Sequence, residues 1–304
     1  MPSRPIHLML VATHPADSFD QAGGTLAHHV ARGDKVTAVV ATTGVRSHHS
    51  QLQEERRTAG AELNVEERVK EAARQKLEET RNACRILGFD DIRDLGFEDD
   101  DTLLTEDKIE AITQAIRDVK PDILITHQPY EIGGLISHAT IGQATVHAWQ
   151  RAMGVGRERQ ERHYVPLMYF MNPQAFNGYT SLGYAGTARV DLYVDITDVI
   201  DKKVKALDYI ASQYYGGAYA RKRSEAEDGA HGGRGNVAYA EQFQSLFPMR
   251  RYTFPVTDSD LDLIDESQET RMGRIGEMVG ARMPMPPGMA FTSQYRVPKE
   301  KYGE

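Results

Sequence analysis

Short apolar runs separated by amphipathic stretches organise the first half of the chain. Residues 6–13 (IHLMLVAT), 36–42 (VTAVVAT) and 122–127 (DILITH) are aliphatic and β-branched without alternation, the pattern of strands covered on both faces. Helical periodicity fills the gaps: Asp20 to Arg32 stopped by Gly33-Asp34, Glu66 to Leu87 closed by Gly88, and Thr105 to Val119 closed before Pro121. Strand-helix-strand alternation implies right-handed crossovers, so the pattern predicts an α/β fold, a Rossmann-like, mostly parallel sheet with helices on both faces. Sites in such sheets lie beyond the carboxyl ends of the strands. His14 and His127 both fall there.

The second half continues with a helix over 136–153, strands over 165–171 (VPLMYFM) and 190–197 (VDLYVDIT), and a helix over 198–213. Residues 214–236, rich in glycine and charge without periodicity, read as a mobile loop able to close over a ligand. VAYAEQFQSLF (237–247) reads as a helix, followed past Pro248 by an edge strand, an acidic helix over 258–279 and a Pro/Met-rich tail. The expected division is a catalytic domain over 1–250 and a C-terminal helical extension over 251–304. The tail is apolar enough to pack on a neighbouring subunit, so the extension is expected to act as an oligomerisation arm in a homo-oligomer. No internal repeat or low-complexity tract is present.

Composition narrows the function classes. With 40% hydrophobic and 26% charged residues in 304, the chain has the make-up of a soluble globular protein. A formal charge of −8 argues against nucleic acid as a partner, because that role needs a basic surface that displaces counterions from phosphates. No stretch has the length and apolarity to span a bilayer, and the opening apolar run is too short for a secretory signal. The single cysteine, Cys84, provides neither a disulfide framework nor a thiolate metal site. A cytoplasmic protein without a membrane partner is expected.

The turn after the first strand, Thr13-His14-Pro15-Ala16-Asp17, carries an imidazole and a carboxylate three residues apart, a spacing that lets both converge on one cation. His138, at the start of the helix that follows the strand ending at His127, supplies a third donor on the same sheet edge. Standing alone, His14 is a turn residue, Asp17 a helix cap and His138 a first-turn residue; their shared edge makes them a metal set. Two His and one Asp leave positions open for water or substrate, which suits catalytic Zn2+. The same set suits Fe2+ in a facial triad, or Mn2+. His28-His29 and His48-His49 read as solvated. AGGTLA lacks the G-x-G-x-x-G spacing of a dinucleotide site.

ATHPADSFDQAGGTLAHHVARGDKVTAVVATTG resembles the opening of the PIG-L (LmbE-like) family of metal-dependent de-N-acetylases, whose motif reads A-H-P-D-D-E. The family's R-x-x-E and L-G are approximated by Glu78 or Glu79 before Ile86-Leu87-Gly88, and its H-P-D-H-x-x-x-G by SHATIG, which keeps His138 and Gly142. The likeness spans roughly residues 6–250 and implies that His14, Asp17 and His138 are the metal ligands. It also implies departures. The position of the deacetylases' general base is Ala16, that of an oxyanion-stabilising histidine is Leu135, and the intervening Asp is Ser137. A methyl group takes no proton and leucine donates no hydrogen bond.

A branch of the family with the H-x-A-D form, 4-oxalomesaconate hydratase, is similar to this chain in its later segments, DITDVIDKKVKAL and NVAYAEQFQSLFP. The branch's Glu after the second strand is Val45 here. The resemblance implies a metal-dependent hydratase acting on a small unsaturated oxo-carboxylic acid, as in aromatic-acid catabolism; a hydrolase of N-acyl groups and a catalytically silent binding protein are the alternatives. Proton transfer then needs a residue other than Ala16, with His127, Glu241 and Tyr239 as catalytic candidates and His48 a weaker one. A small anionic substrate calls for cations, for which Arg46, Arg221 and Arg234 are candidates, with Asn236 to orient it.

Overall fold

The computed structural model describes residues 4–59, 64–130, 136–155, 161–173 and 189–286. The elements follow in order as β1 (His7–Ala12), α1 (Asp17–Asp20), α2 (Gly23–Ala31), β2 (Lys35–Thr42), α3 (Val45–His48), α4 (Ser50–Ala59), α5 (Val65–Leu87), β3 (Asp91–Phe97), α6 (Glu106–Val119), β4 (Ile123–His127), α7 (Ile136–Met153), β5 (Leu167–Met171), β6 (Leu192–Asp195), α8 (Ile200–Asp208), α9 (Ala218–Ser224), α10 (Ala230–Gly235), β7 (Ala240–Ser245), α11 (Asp258–Asp262), α12 (Gln268–Ile275) and α13 (Val279–Arg282). The strands form one sheet in the order β3-β2-β1-β4-β5-β7-β6. The first five pair in parallel, whereas β7 runs antiparallel to both β5 and β6. Strand order reverses between β1 and β4, and a crevice opens at such a switch point beyond the strand ends.

Alternate residues of β1 feed two cores. Leu8, Leu10 and Ala12 pack with Phe19, Leu26, Leu87, Val204 and Leu207, on the face covered by α1, α2, α5 and α8. Met9 and Val11 pack with Ile112, Ile116, Ile141, Ala148 and Trp149, on the face covered by α6 and α7. This two-sided burial is what the unalternating apolar runs required.

Several expectations are corrected. Residues 240–245 form strand β7 rather than a helix. Its polar side chains misled the periodicity because they are buried with partners: Gln242 donates to Asn172, Gln128 donates to Gln244, and Glu241 accepts from Lys203. Residues 214–236 are not a loop but the helical run α9, a π-turn over Glu225–Gly229, and α10. Charge orders it: Arg221 pairs with Asp208, Arg223 with Asp20, and Asp228 with Lys203. No strand follows Pro248 among the described residues, the acidic helix is broken into α11, a 3-10 turn over Leu263–Asp265 and α12, and the unanticipated edge strand is β3. The tail beyond 286 lies outside the described residues.

Lys203 is the most committed buried charge. Its side chain is 1% exposed, with Nζ 2.7 Å from Asp228 and 2.8 Å from Glu241, and Glu241 also accepts from the backbone N–H groups of Gly24 and Thr25 at the start of α2. A buried cation with two carboxylates ties α8, β7, α2 and the π-turn together, and removing it strands two acids in the core. We expect Lys203→Met to destabilise the fold by about 3–5 kcal/mol in urea unfolding; a loss under about 1 kcal/mol contradicts this account. Burial raises the Asp228 carboxyl from its usual 3.8 to about 7 despite Lys203. The folded state therefore keeps a proton that the unfolded state has lost between those values, and stability drains as pH rises through them. Wild type is expected to lose stability relative to Asp228→Asn from pH 4 to 7, read from paired unfolding curves.

Candidate functional site

The chain leaves β1 at Ala12, and Thr13 fixes the departure. Thr42 donates to the Thr13 carbonyl through both its backbone N–H (2.8 Å) and its hydroxyl (2.8 Å), while the Thr13 N–H donates to His127 Nε2 at 3.0 Å. The ends of β2, β1 and β4 are thereby joined where the crevice opens. The one-turn helix α1 folds Asp17 back so that its Oδ2 accepts from the His14 N–H at 2.8 Å. From the other side, the first turn of α7 delivers His138. That helix approaches β4 closely because residue 142 is glycine: a Cβ there would lie 2.6 Å from the His127 carbonyl oxygen.

Three electron-rich atoms converge. His14 Nδ1 lies 3.1 Å from Asp17 Oδ2 and 3.2 Å from His138 Nε2, and His138 Nε2 lies 3.4 Å from Asp17 Oδ2. All three residues are buried, and they form a donor group of the kind that holds a metal ion. Ligands at about 2.0–2.1 Å from a tetrahedral Zn2+ are spaced about 3.3–3.4 Å apart, so the triangle fits a single divalent ion. Burial alone raises the Asp17 carboxyl, but the surrounding histidines, His138 foremost, outweigh it and hold the group well below the usual carboxylate range. Asp17 is thus an anion, the state a ligand needs.

His48, on α3 after β2, comes closer than its reading as a solvated residue implied. Its ring is 4.5 Å from that of His14, and burial, reinforced by His14, lowers its pKa to about 4. His49 beside it is buried as well. Ser47 Oγ lies 2.6 Å from His48 Nδ1 and donates to Asp99. Since the one hydroxyl proton is given to a carboxylate, Ser47 accepts from His48, which puts the imidazole proton on Nδ1 and leaves Nε2 bare. Beneath this loop Lys76 Nζ donates to the carbonyls of Gly44 (2.7 Å) and His48 (3.1 Å), and burial lowers its pKa to about 8. Ser137 Oγ lies 3.3 Å from His14 Nε2.

The other sequence candidates part ways. His127 stacks on His138 with centroids 4.1 Å apart, but its Nε2 lone pair is taken by the Thr13 N–H, which makes it a tie between strand ends. Glu241 is not at the histidines; both its oxygens serve α2 and Lys203. Tyr239 donates to Glu225 at 2.8 Å and accepts from the Val279 N–H, so it anchors α13. Arg221 is held by Asp208 and the carbonyls of Gly217, Met283 and Pro284, leaving no clamp for a ligand. Asn236 ends α10 and accepts from Arg271; Arg234 lies on that same helix. Arg46 alone stays at the site's rim, paired with Glu98 and Glu66. Asp99 and Lys76 were missed, and His48 was named only as a weaker candidate. His48 follows a strand end just as His14 does, a signal the sequence held; Asp99 is hidden in an acidic run and Lys76 in a charged helix. Leu135 lies outside the described residues.

Residues 9–149 match the family described as PIG-L: GlcNAc-PI de-N-acetylase. A probable N-acetyl-alpha-D-glucosaminyl L-malate deacetylase 2 of Bacillus cereus is 31% identical over 212 residues, covering 68% of this chain and 83% of that protein. The 4-oxalmesaconate hydratase of Pseudomonas putida is 27% identical over 254 residues, covering 79% and 89%. Among solved structures, GalB, the 4-carboxy-2-hydroxymuconate hydratase of Pseudomonas putida KT2440, superposes with a TM-score of 0.68 at 20% identity over 82% of this chain and 100% of that one.

Gly44 holds the loop that carries His48. It adopts φ +61°, and a Cβ there would lie 2.9 Å from Pro15 Cδ and 3.2 Å from both His14 Cβ and Lys76 Nζ. Gly44→Ala is expected to cost about 1–3 kcal/mol from left-handed strain and crowding and to lower metal affinity, measured by unfolding and by metal analysis after dialysis; unchanged affinity would separate this loop from the metal set.

Proposed function

The chain belongs to the PIG-L family, and from that premise we propose that it is a metal-dependent hydro-lyase that adds or removes water at a carbon-carbon double bond conjugated to a carbonyl or carboxylate in a small anionic substrate. His14, Asp17 and His138 would hold the ion, as Zn2+ or another divalent metal such as Fe2+ or Mn2+. A divalent cation bound there supplies Lewis acidity toward the substrate's oxo or carboxylate oxygens.

The observation that carries the reading is Ala16. It is 5% exposed at the start of α1, between the ligands His14 and Asp17, where the resemblance places the deacetylases' base, and its methyl group takes no proton. The proton-accepting atom nearest in kind is His48 Nε2, bare by the Ser47 relay and neutral because burial holds the ring's pKa at about 4. We assign His48 the proton transfers. Asp99, which accepts from the Ser47 hydroxyl and from the Arg46 and Ser47 N–H groups, orients it. Arg46 is the cation for a substrate carboxylate: its partners Glu66 and Glu98 are exposed, and such surface pairs are worth only about 0–1 kcal/mol each, so an incoming anion displaces them cheaply.

A second reading, hydrolysis of an N-acyl group, is favoured by the 31% identity to the Bacillus cereus deacetylase. One experiment separates the two. The purified, metal-analysed protein is offered conjugated oxo-dicarboxylates, with absorbance followed, and N-acetyl amines, with acetate followed. Loss of the conjugated chromophore, abolished by chelator and by His14→Ala, is expected; acetate release without a chromophore change overturns the hydratase in favour of the hydrolase. On the substrate found, Arg46→Ala is expected to raise KM about tenfold, the loss of roughly 1.4 kcal/mol of binding, with little change in kcat; an unchanged KM removes Arg46 from the substrate site.

A further inference from the structure

We propose that the site has a second, weaker position for a borderline divalent cation such as Zn2+, built from His48 and Asp99 at the rim and bordered by His14. Donor atoms of these three residues all lie within 4.8 Å of one another, a grouping that shares only His14 with the set of His14, Asp17 and His138. Imidazole with carboxylate is a donor pair that such cations accept.

Two features show that the donors are prepared for a ligand's role. The Ser47 hydroxyl, spending its proton on Asp99, fixes the His48 tautomer with Nε2 unprotonated, and outer hydrogen bonds of this type set ligand orientation in metal sites. Asp99 is half-satisfied in a directional way. Its Oδ2 accepts at short range from the Ser47 N–H (2.7 Å) and hydroxyl, whereas its Oδ1 has only long contacts, 3.2 Å to the Arg46 N–H and 3.4 Å to Thr43 Oγ1. A carboxylate oxygen has two lone-pair directions, so Oδ1 keeps capacity for a cation.

The electrostatics rank this position below the first. The run Glu98 to Asp101 is acidic and draws cations to the rim. Against that, the Lys76 ammonium lies beneath the same loop on the Gly44 and His48 carbonyls. His14 Nδ1 already faces Asp17 and His138; the second position therefore depends on His48 and Asp99 for its affinity. Occupying it would engage the His48 ring. On the hydratase reading, and only there, excess metal inhibits by removing the proton acceptor; the site itself does not depend on that reading.

Zinc alone tests it. The full chain is titrated with Zn2+ by calorimetry, with bound metal counted after equilibrium dialysis, for wild type, His48→Gln and Asp99→Asn. Wild type is expected to bind a second equivalent at least tenfold more weakly than the first, and each variant to keep the first equivalent while losing the second or weakening it at least tenfold. Saturation of wild type at one equivalent up to millimolar Zn2+ overturns the proposal, as does an unchanged second equivalent in either variant. If Asp99→Asn fails to retain the first equivalent or its circular dichroism, His48→Gln decides. No substrate enters the measurement, so failure of the hydratase reading leaves this outcome unaffected.

Discussion

Three lone-pair-bearing atoms held 3.1–3.4 Å apart inside a buried pocket govern the rest of this molecule. Two imidazole nitrogens and a carboxylate oxygen at such spacing repel one another unless positive charge stands among them, and burial removes the water that would otherwise screen them. The surroundings are arranged to keep the triangle closed. Threonines tie three strand ends together, a one-turn helix folds the carboxylate back onto its own chain, and glycines let α7 lie close against the end of β4 and the loop after β2 close against His14 and Pro15.

The sheet explains why these groups meet at all. Because β1 lies between β2 and β4, the connections from its end and from its neighbours' ends all emerge on one edge, delivering His14, His48 and His138 from segments separated by up to 124 residues. Antiparallel β7 adds a twist to this logic. Its start, not its end, reaches that edge, and Glu241 is there to receive the N-terminus of α2.

The parallel core was legible because each apolar run was long enough to need covering on both faces, and the turn between β1 and α1 announced its chemistry through residue types that a hydrophobic exit does not otherwise need. Seven-residue β3 and six-residue β7 were not legible, since their polar side chains find partners elsewhere in the chain, Thr37 for Asp91 and Gln128 for Gln244 among them. The same blindness produced the misplaced roles. Glu241, Tyr239 and Arg221 looked like chemistry because they are ionisable or hydroxylated residues in an otherwise apolar or glycine-rich context. Each instead answers a buried demand for hydrogen bonding, which only the tertiary partner reveals. His48 went the other way: the strand-end rule that singled out His14 applied to it equally.

Helix α1 is four residues long, yet it has two clients. Asp17 faces the histidines, while Asp20, one turn on, grips Arg223 of α9 at 2.8 Å. A lineage that shortened or rewired the 218–235 segment would loosen the far end of this short lever and disturb the near end, so the two stretches, 200 residues apart, must diversify in step. Homologues that differ in one are the place to look for compensating change in the other.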